Sequence, residues 1–251
     1  MYTKRDRSFI LQKNPWLADV HLFEETSSTQ LEAKISGQTN TLYLAGRQTA
    51  TYGRFGRGYF ADEGGIYMSL CLRPNLSFEE LPQYTLLMAA ATISAIERLT
   101  SKRPQIKWVN DIYLDGKKIA GILTESAAFG ENLTQIIIGI GINFAITDFP
   151  EELADKAGTL FEKENTPVTP VELIAEIWSE FDRLSREDFL SFYKAHSFIL
   201  GKTVQFQRNG ESFEGLASDL TDKGELVVTF PNGGSQILSS GEISLKKWTS
   251  N

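Results

Sequence analysis

The chain has 251 residues, a net charge of −7 and a pI near 5.1, which fits one large domain or a large domain with a small appendage. An acidic chain is a poor general nucleic-acid binder, so any cationic patch must be local. One cysteine and two histidines exclude an intrachain disulfide and a cysteine-based zinc site, and they disfavour histidine-rich metal sites and a Ser/His/Asp triad. The N-terminal segment does not resemble a signal peptide, and the longest apolar run is too short to span a bilayer. We therefore expect a soluble, cytoplasmic protein.

The segment ETSSTQLEAK places three hydroxyl residues before a short helix-like stretch. Ser27, Ser28 and Thr29 are residue types that commonly cap helices, and we expect them to cap this one. The alternative is that their hydroxyls bind a small polar ligand.

The stretch RQTATYGRFGRGYF, called the Arg/Gly loop below, lies between two strand-like segments, TLYLAGRQTA and GIYMSLCLRP, and is therefore expected to be a loop. Its glycines allow the backbone to approach a ligand, and its arginines supply planar donors that suit phosphate and carboxylate oxygens. The loop lacks the GxxxxGK[ST] pattern, and no helical pattern follows it directly, which disfavours a phosphate-loop NTPase. Three interpretations stay open: an anion-binding loop, a solvated and disordered loop, and a loop that binds RNA nonspecifically.

The middle of the chain predicts a buried helix, from YTLLMAAATISAIERLTS, followed by a β-hairpin around an Asp-Gly turn, from QIKWVNDIYLDGKKIAGILTES. If the first arm is one strand, Lys107, Val109 and Asp111 share a face, and Trp108 and Asn110 lie on the other. Lys118, at the start of the second arm, is then expected near Asp111. This pair is either a surface ion pair or an acid/base and phosphate-binding pair in a pocket.

The run TQIIIGIGINF is expected to form a continuous apolar strand interrupted by Gly139 and Gly141. Glycine inside a strand often marks the close approach of a ligand or another backbone. Asn143 ends the run with an amide that can hold a base or a backbone group. A tight sheet crossing without a ligand is the alternative.

A second helical region is predicted in TPVELIAEIWSEFDRLSREDFLSFYKAHS, with Thr169 as its cap and Pro170 at its first position. After His196 the pattern changes to short alternating runs separated by glycine-containing turns. The sequence therefore predicts a domain of residues 1–196 and a small all-β domain of residues 197–251 with an SH3-like barrel.

Four segments, in this order along the chain, resemble the motifs of biotin protein ligases, which are also called biotin–[acetyl-CoA-carboxylase] ligases. SSTQ, QTATYGRFGRGYF, KWVNDIYLDGKKIAGILTE and IGIGINF stand where the family has DSTN-like, QxxGRGRxGRxW, KWPNDI…KKxAGIL(T/V)E and IGIGxN segments. The resemblance extends over residues 20–246 and includes the terminal GEISL. It implies an α+β fold, with a mixed-sheet catalytic domain of the class II synthetase-like biotin/lipoate ligase type and a small C-terminal SH3-like β-barrel.

The resemblance implies a two-step reaction that uses ATP, Mg²⁺ and biotin. The biotin carboxylate attacks the α-phosphate of MgATP and gives biotinyl-5′-AMP and pyrophosphate. A lysine of the biotin carboxyl carrier domain of a biotin-dependent carboxylase then attacks the mixed anhydride and releases AMP. No enzyme nucleophile is needed, and the chain has no direct metal-ligand motif, so Mg²⁺ is expected to arrive with ATP.

The resemblance also implies site residues, position by position. The implied biotin-binding residues are Ser28, Thr29, Gln48, Gly121 and Ile122. The implied nucleotide-binding residues are Arg54, Arg57, Tyr59, Lys118 and Asn143. The implied catalytic residues are Arg54, Lys118 and Asp111, with Asp111 orienting or deprotonating the incoming lysine.

This sequence departs from the family pattern at several positions. Thr51 and Tyr52 stand where the family usually has Gly-Arg, which removes one cationic contact, while Tyr59 replaces a tryptophan and Val109 a proline. Some bacterial relatives carry an N-terminal winged-helix repressor domain, which needs roughly 50 residues or more, whereas only about 25 precede SSTQ here. The resemblance therefore implies a short form without an N-terminal DNA-binding domain and without binding to DNA or membranes. Whether it is a monomer or a homodimer is left open.

Two other functions remain as alternatives. A lipoate or octanoate protein ligase-like acyltransferase would share the fold, although KWVND together with KKIAGIL favours biotin. A noncatalytic RNA-binding module would combine the Arg/Gly loop with the small β-barrel, but the acidic pI argues against it.

Overall fold

A seven-stranded sheet and a five-stranded sheet form the framework of the computed structural model. The structure describes residues 2–56, 58–74, 81–129, 132–208, 210–239 and 243–245. The strands of the larger sheet are β1 (Asp19–Thr26), β2 (Thr41–Gln48), β3 (Ile66–Leu72), β4 (Gln105–Lys107), β5 (Asp111–Leu114), β6 (Lys117–Phe129) and β7 (Asn132–Ile142). The helices of the described residues are α1 (Lys4–Lys13), α2 (Thr29–Ser36), α3 (Leu81–Leu99), α4 (Pro170–Leu184) and α5 (Phe189–His196).

The larger sheet is mixed, with the spatial strand order β1-β2-β3-β7-β6-β5-β4. β1 and β2 are parallel and are joined by α2, because parallel neighbours need a crossover connection. The remaining neighbours in this sheet are antiparallel. The α+β class with a mixed sheet, predicted from the sequence, is confirmed, and so are the strands on either side of the Arg/Gly loop.

Strand β7 shows how the sheet separates its two faces. Its even-numbered isoleucines pack in the main core together with buried side chains of α3 and α4, as expected for alternation along a strand: Ile136, Ile138, Ile140 and Ile142. Its odd-numbered positions face the side covered by α2, where Ile137 packs with Ala33 and Cys71. Burying one such isoleucine is worth roughly 1.5–3 kcal/mol, so this strand strongly fixes the register of the sheet.

The hairpin predicted around Asp115-Gly116 is present, but its first arm is not one strand. β4 ends before a turn at residues 108–110, and β5 then runs back antiparallel to β4, with Lys107 directly opposite Asp111. The reversal buries the side chains of Trp108 and Val109 in the core. The predicted alternation over residues 107–111 is therefore wrong. Lys107 and Asp111 do share a face, because directly paired residues on adjacent strands point to the same side.

The C-terminal part of the chain follows the predicted pattern. Thr169 caps α4 in a reciprocal capping box with Glu172, and Pro170 takes the first helical position. The five-stranded sheet that follows is antiparallel in the order β11-β10-β9-β8-β12, which confirms a small all-β unit. Its strands are β8 (Thr203–Arg208), β9 (Glu211–Leu220), β10 (Leu226–Thr229), β11 (Ser235–Leu238) and β12 (Ile243–Leu245).

The C-terminal unit is docked on the rest of the chain through contacts with the 108–110 turn and with helix α5. The indole Nε1 of Trp108 donates a hydrogen bond to the carbonyl of Gly224 at 3.0 Å, and the ammonium of Lys194 lies 2.8 Å from the carboxylate of Asp219. Buried apolar residues of both sheets belong to one continuous core. Within the described ranges, every helix is too short or too polar to cross a membrane.

Candidate active site

A cavity of about 730 Å³ opens where the larger sheet meets the C-terminal sheet. Its walls come from the start of α2, the Arg/Gly loop, the turn at residues 108–110, strands β2 to β7 of the larger sheet, and strands β8, β9 and β12 of the C-terminal sheet. The predicted site residues that line it are Ser28, Thr29, Gln48, Arg54, Tyr59, Asp111, Lys118, Gly121 and Ile122. Asn143 lines a smaller cavity instead, and Arg57 lies outside the described residues, so its predicted role stays a prediction.

Hydroxyl and amide groups form the polar lining at the start of α2. Ser28 occupies the N-cap position but its side chain makes no capping hydrogen bond, so the expected capping role is wrong for this residue. The first backbone N–H of the helix, at Thr29, instead donates to the Gln48 Oε1 at 2.6 Å. Gln48, the last residue of strand β2, therefore caps the helix in place of Ser28. The buried Ser28 hydroxyl lies in the cavity lining.

Two further polar residues of this lining were missed by the sequence interpretation. The hydroxyls of Thr29 and Ser69 lie 2.9 Å apart, and the Ser69 hydroxyl donates to the Gln30 Oε1 at 3.0 Å. All three residues are buried, which fixes their side chains against one another. The sequence offered two signals for these residues: Ser69 is the one serine in the apolar run IYMSLCL, and Gln30 is the last residue of the SSTQ segment.

An ion pair forms the charged part of the cavity. Lys118 Nζ lies 2.6 Å from Asp111 Oδ1, and the side chains are one-third and about one-fifth exposed. The two residues approach because β5 and β6 pair with a register shift between Ile112 and Tyr113, and such bulges often re-aim side chains beside active sites. The predicted proximity of this pair is confirmed. Its position in a cavity wall favours the pocket interpretation over the surface ion pair.

The Arg/Gly loop contacts the opposite wall of this cavity. Arg54 Nη1 donates to the Asn110 Oδ1 at 3.1 Å, and the Asn110 amide donates to the Ile122 carbonyl at 2.9 Å. The Tyr52 hydroxyl donates to the Glu125 carboxylate on β6 at 3.1 Å. The loop therefore lies across the cavity and makes side-chain contacts with the strand that carries Lys118.

The glycines of β7 make room for side chains. A Cβ atom on Gly141 would collide with the ring of Tyr59, and one on Gly139 would collide with the amide of Gln30. The sequence led us to expect a ligand or another backbone segment close to these glycines. The close neighbour at both positions is instead a side chain. Within the described part of the chain, the buried Tyr59 hydroxyl has no hydrogen-bond partner, and burial raises its pKa, so it keeps its proton.

A second cavity, of about 140 Å³, adjoins Lys118 and Tyr59. It is lined mainly by apolar groups, including Phe149, whose ring centroid lies 5.9 Å from that of Phe60. The Asn143 amide lies at its edge and donates to the backbone carbonyl of Gly158 at 2.8 Å. The sequence left two possible partners for this amide, a nucleotide base and a backbone group, and its described hydrogen bonds are to backbone carbonyls.

The C-terminal sheet contributes a wall that the motifs gave no reason to expect. Its lining residues are Gln205, Phe206, Gln207, Ser212 and Ile243. Among the residues that the structure describes, no three histidine, cysteine, aspartate or glutamate side chains are grouped to hold a metal ion. The polar groups that line the cavity are therefore hydroxyls, amides, cationic side chains and a carboxylate.

Comparisons with known proteins agree with this arrangement. The model of the Biotin/lipoate A/B protein ligase family matches residues 22–143, and that of the Biotin protein ligase C terminal domain matches residues 199–246. The Bifunctional ligase/repressor BirA of Bacillus subtilis is 34% identical over 229 residues, which cover 85% of this chain and 70% of that protein. The Biotin–[acetyl-CoA-carboxylase] ligase of Paracoccus denitrificans is 28% identical over 239 residues, covering 88% of this chain and 98% of that protein.

Solved structures give the same result. The biotin protein ligase of Aquifex aeolicus in complex with biotin and ATP superposes with a TM-score of 0.74 at 29% identity, covering 92% of this chain and 100% of that chain. A mutant of that enzyme in complex with biotin gives a TM-score of 0.77 at 29% identity, over 91% and 98% of the two chains. The chain belongs to the biotin/lipoate A/B protein ligase family, and the family predicted from its motifs is confirmed.

Proposed function

We propose that this chain is an ATP-dependent biotin protein ligase, which converts biotin to biotinyl-5′-AMP and transfers it to a lysine of a biotin carboxyl carrier domain. The observation that carries the proposal is the Lys118–Asp111 pair beside the Arg54 loop, in one cavity with the hydroxyl and amide groups of α2 and β2. The likeness to a ligase in complex with biotin and ATP supports both substrates. The relatives named biotin–[acetyl-CoA-carboxylase] ligases support a carboxylase carrier as the partner.

The polar lining at the start of α2 suits the ureido ring of biotin. A ureido group offers two N–H donors and one carbonyl acceptor, and it needs partners for all three when it is buried. Ser28, Thr29 and Gln48 would supply these partners, while Gly121 and Ile122 would form the wall beside the ring system. The buried hydrogen bonds behind them would hold this end of the cavity in one arrangement.

In the first step, the biotin carboxylate oxygen attacks the α-phosphorus of ATP, and the bond from that phosphorus to the bridging oxygen breaks to release pyrophosphate. The reaction needs no protein nucleophile, so catalysis depends on positioning and on charge stabilisation. Lys118 and Arg54 would contact the carboxylate and phosphate oxygens, as cations that line the cavity. Arg57 stays a predicted member of this group.

The smaller cavity suits the nucleotide base. Its aromatic and aliphatic lining offers a slot for a flat ring, and Lys118 and Tyr59 line both cavities, so a phosphate chain could pass between them. Tyr59 and Asn143 would lie beside the base. Mg²⁺ would enter with ATP, since magnesium is commonly bound through substrate phosphates and retained waters.

In the second step, the amine of the carrier lysine attacks the acyl carbon of biotinyl-5′-AMP. The bond from that carbon to the phosphate oxygen breaks, AMP leaves, and the amine loses a proton as the amide forms. Asp111 would orient the incoming ammonium or accept its proton, as a carboxylate that lines the cavity. A closed cavity would also keep water away from the mixed anhydride.

The remaining predictions concern the whole chain. We assign residues 1–196 to the catalytic domain and 197–251 to the C-terminal domain, which the end of α5 at His196 and the start of β8 at Thr203 support. A cytoplasmic location, the absence of DNA binding and the choice between monomer and homodimer stay predictions. Neither lipoate ligation nor RNA binding is favoured, because the relatives named here are biotin ligases.

The proposed function is tested by ATP–pyrophosphate exchange. We expect radiolabelled pyrophosphate to enter ATP only when biotin is present, with lipoate and octanoate as matched controls. Adding a biotin carboxyl carrier domain should then yield one biotinylated lysine. Exchange that depends on lipoate and not on biotin would show the acyltransferase alternative to be correct.

A further inference from the structure

The Arg/Gly loop of this chain contains a contact that the family pattern does not lead one to expect. At the position where the pattern has a cationic arginine, Tyr52 directs its hydroxyl to the Glu125 carboxylate at 3.1 Å. Tyr52 is 40% exposed at the rim of the cavity, and Glu125 lies on β6 beyond the lining residues. The tyrosine therefore bridges from the loop to β6 at the edge of the cavity, which it also helps to line.

The internal structure of the loop transmits this contact to the residues over the cavity. Tyr52 pairs with Gly58 in an isolated β-bridge, and the Thr51 hydroxyl donates to the carbonyl of Tyr59. The start and the end of the loop are thus joined, with Arg54 between them. Fixing Tyr52 to β6 consequently fixes both ends of the segment that carries Arg54.

A bound substrate would affect the contacts of Arg54 and Tyr52 with the cavity wall differently. Arg54 donates to Asn110, and under the proposed function it must turn part of its guanidinium to the carboxylate or phosphate of the substrate. Tyr52 and Glu125 have no assigned substrate group, so their hydrogen bond can persist throughout the reaction. Burial and the neighbouring carboxylate raise the pKa of Tyr52, so its hydroxyl stays a donor at neutral pH.

We propose that the Tyr52–Glu125 hydrogen bond is a latch that retains biotinyl-5′-AMP in the cavity, which makes Tyr52 a positioning residue for this ligase. The inference rests on the proposed function, because the retained molecule is the product of its first step. The latch compensates for the missing arginine by fixing the loop to the protein rather than by contacting the ligand. Loss of one partly exposed hydrogen bond predicts a threefold to tenfold faster release of the adenylate.

The test measures release directly. The wild type and its variants are loaded with labelled biotin and MgATP without carrier, then chased with excess unlabelled biotin, and the bound adenylate is followed with time. Tyr52→Phe and Glu125→Met should each release the adenylate about threefold to tenfold faster, and the double variant should release it no faster than the single ones. Glu125→Gln, which keeps an acceptor oxygen, should stay close to the wild type. Tyr43→Phe removes a tyrosine hydroxyl outside the cavity and serves as a control, since the ring of Tyr43 stacks on His21.

Each outcome is decisive. If the wild type forms no labelled adenylate, the proposed function is wrong and the latch is wrong with it. If the wild type forms the adenylate but Tyr52→Phe releases it at the same rate, the latch alone is wrong. Additive effects in the double variant would likewise show that the two residues act separately. Because Tyr52 lies at the rim, Tyr52→Phe decides the matter even if Glu125→Met does not fold.

Discussion

Lys118 and Asp111 meet over a glycine. Asp111 is paired in the β5–β6 ladder with Gly121, and a Cβ atom on Gly121 would lie 3.2 Å from Lys118 Nζ. The missing side chain leaves the space in which the ammonium reaches the carboxylate at 2.6 Å. Lys118 and Asp111 thus form an ion pair over Gly121 within one hairpin. Substitutions at Lys118 and at Asp111 are expected to have different effects on the two steps of the reaction.

Replacing Lys118 by alanine should slow adenylate formation about 10²- to 10³-fold, because a single charge-stabilising contact in such a site is typically worth that much. The measurement is biotin-dependent ATP–pyrophosphate exchange. Lys117→Ala is the matched control, since Lys117 is the preceding residue and its ammonium donates to the carbonyl of Ala154. An exchange rate that Lys118→Ala leaves unchanged would remove this lysine from the site.

Replacing Asp111 by asparagine should slow the transfer step more than adenylation, because the amide cannot accept a proton from the carrier lysine. Purified biotinyl-5′-AMP is supplied with the carrier domain, so that transfer is measured without the first step. Normal transfer combined with slow pyrophosphate exchange would instead assign Asp111 to the nucleotide.

Replacing Arg54 by glycine should weaken biotin binding and let the adenylate escape, because a charge-assisted donor over the cavity is lost. Escaped adenylate reacts with lysines of any protein, so the variant is incubated with ATP, biotin and an unrelated protein, which is then probed for biotin. Bystander labelling at the wild-type level, with carrier labelling intact, would show that Arg54 does not retain the intermediate.

Replacing Gly141 by alanine should displace the ring of Tyr59, since the added methyl group would occupy the same space. We expect weaker ATP binding, measured by calorimetry, with little change in the fold. The control is the same substitution in a Tyr59→Ala background, where the ring is absent and the added methyl group should have little further effect. An equal loss of affinity in both backgrounds would contradict this explanation of the glycine.

The buried Glu180 predicts a pH dependence of stability. Burial acts to raise its pKa, but hydrogen bonds from Arg183 and Ser94 outweigh this and lower the pKa below the ordinary value of 4.5. A lowered folded-state pKa gives stability that is present above pH 4.5 and is lost as the pH falls through the folded-state value. Glu180→Gln should therefore reduce the free energy of unfolding by about 1–3 kcal/mol at pH 7, and by less in acid.

Denaturant titrations at several pH values measure this difference. Glu187→Gln removes an exposed partner of the same Arg183 and should change stability by less than about 1 kcal/mol at any of these pH values. A constant difference between the wild type and Glu180→Gln across the acid range would contradict the predicted linkage.

Local patterns in the sequence were enough to predict much of the framework. The apolar run of β7, the Asp-Gly turn and the Thr169-Pro170 helix start are short-range signals, and each lies where it was expected. The turn at residues 108–110 was missed because Trp108 and Val109 resemble strand residues. They turn into the core because the sheet and the C-terminal unit provide a buried place for them.

The site was predictable where a motif carried its own chemistry, and less so where distant segments meet. Lys118 and Asp111 belong to one hairpin, so their proximity followed from strand pairing. Ser69 reaches α2 from strand β3, and Gln205 reaches the cavity from a separate sheet. No local pattern encodes such contacts, because they depend on how whole elements pack together.

The wall supplied by β8, β9 and β12 has a consequence for the synthesis of the protein. The cavity includes Ile243, so its last wall is translated well after the segments that form its other walls. A nascent chain that has already folded its larger sheet would expose Trp108 until the turn containing Gly224 emerges from the ribosome and accepts its hydrogen bond. The order of translation therefore leaves this cavity incomplete until the C-terminal strands that form its last wall have been made.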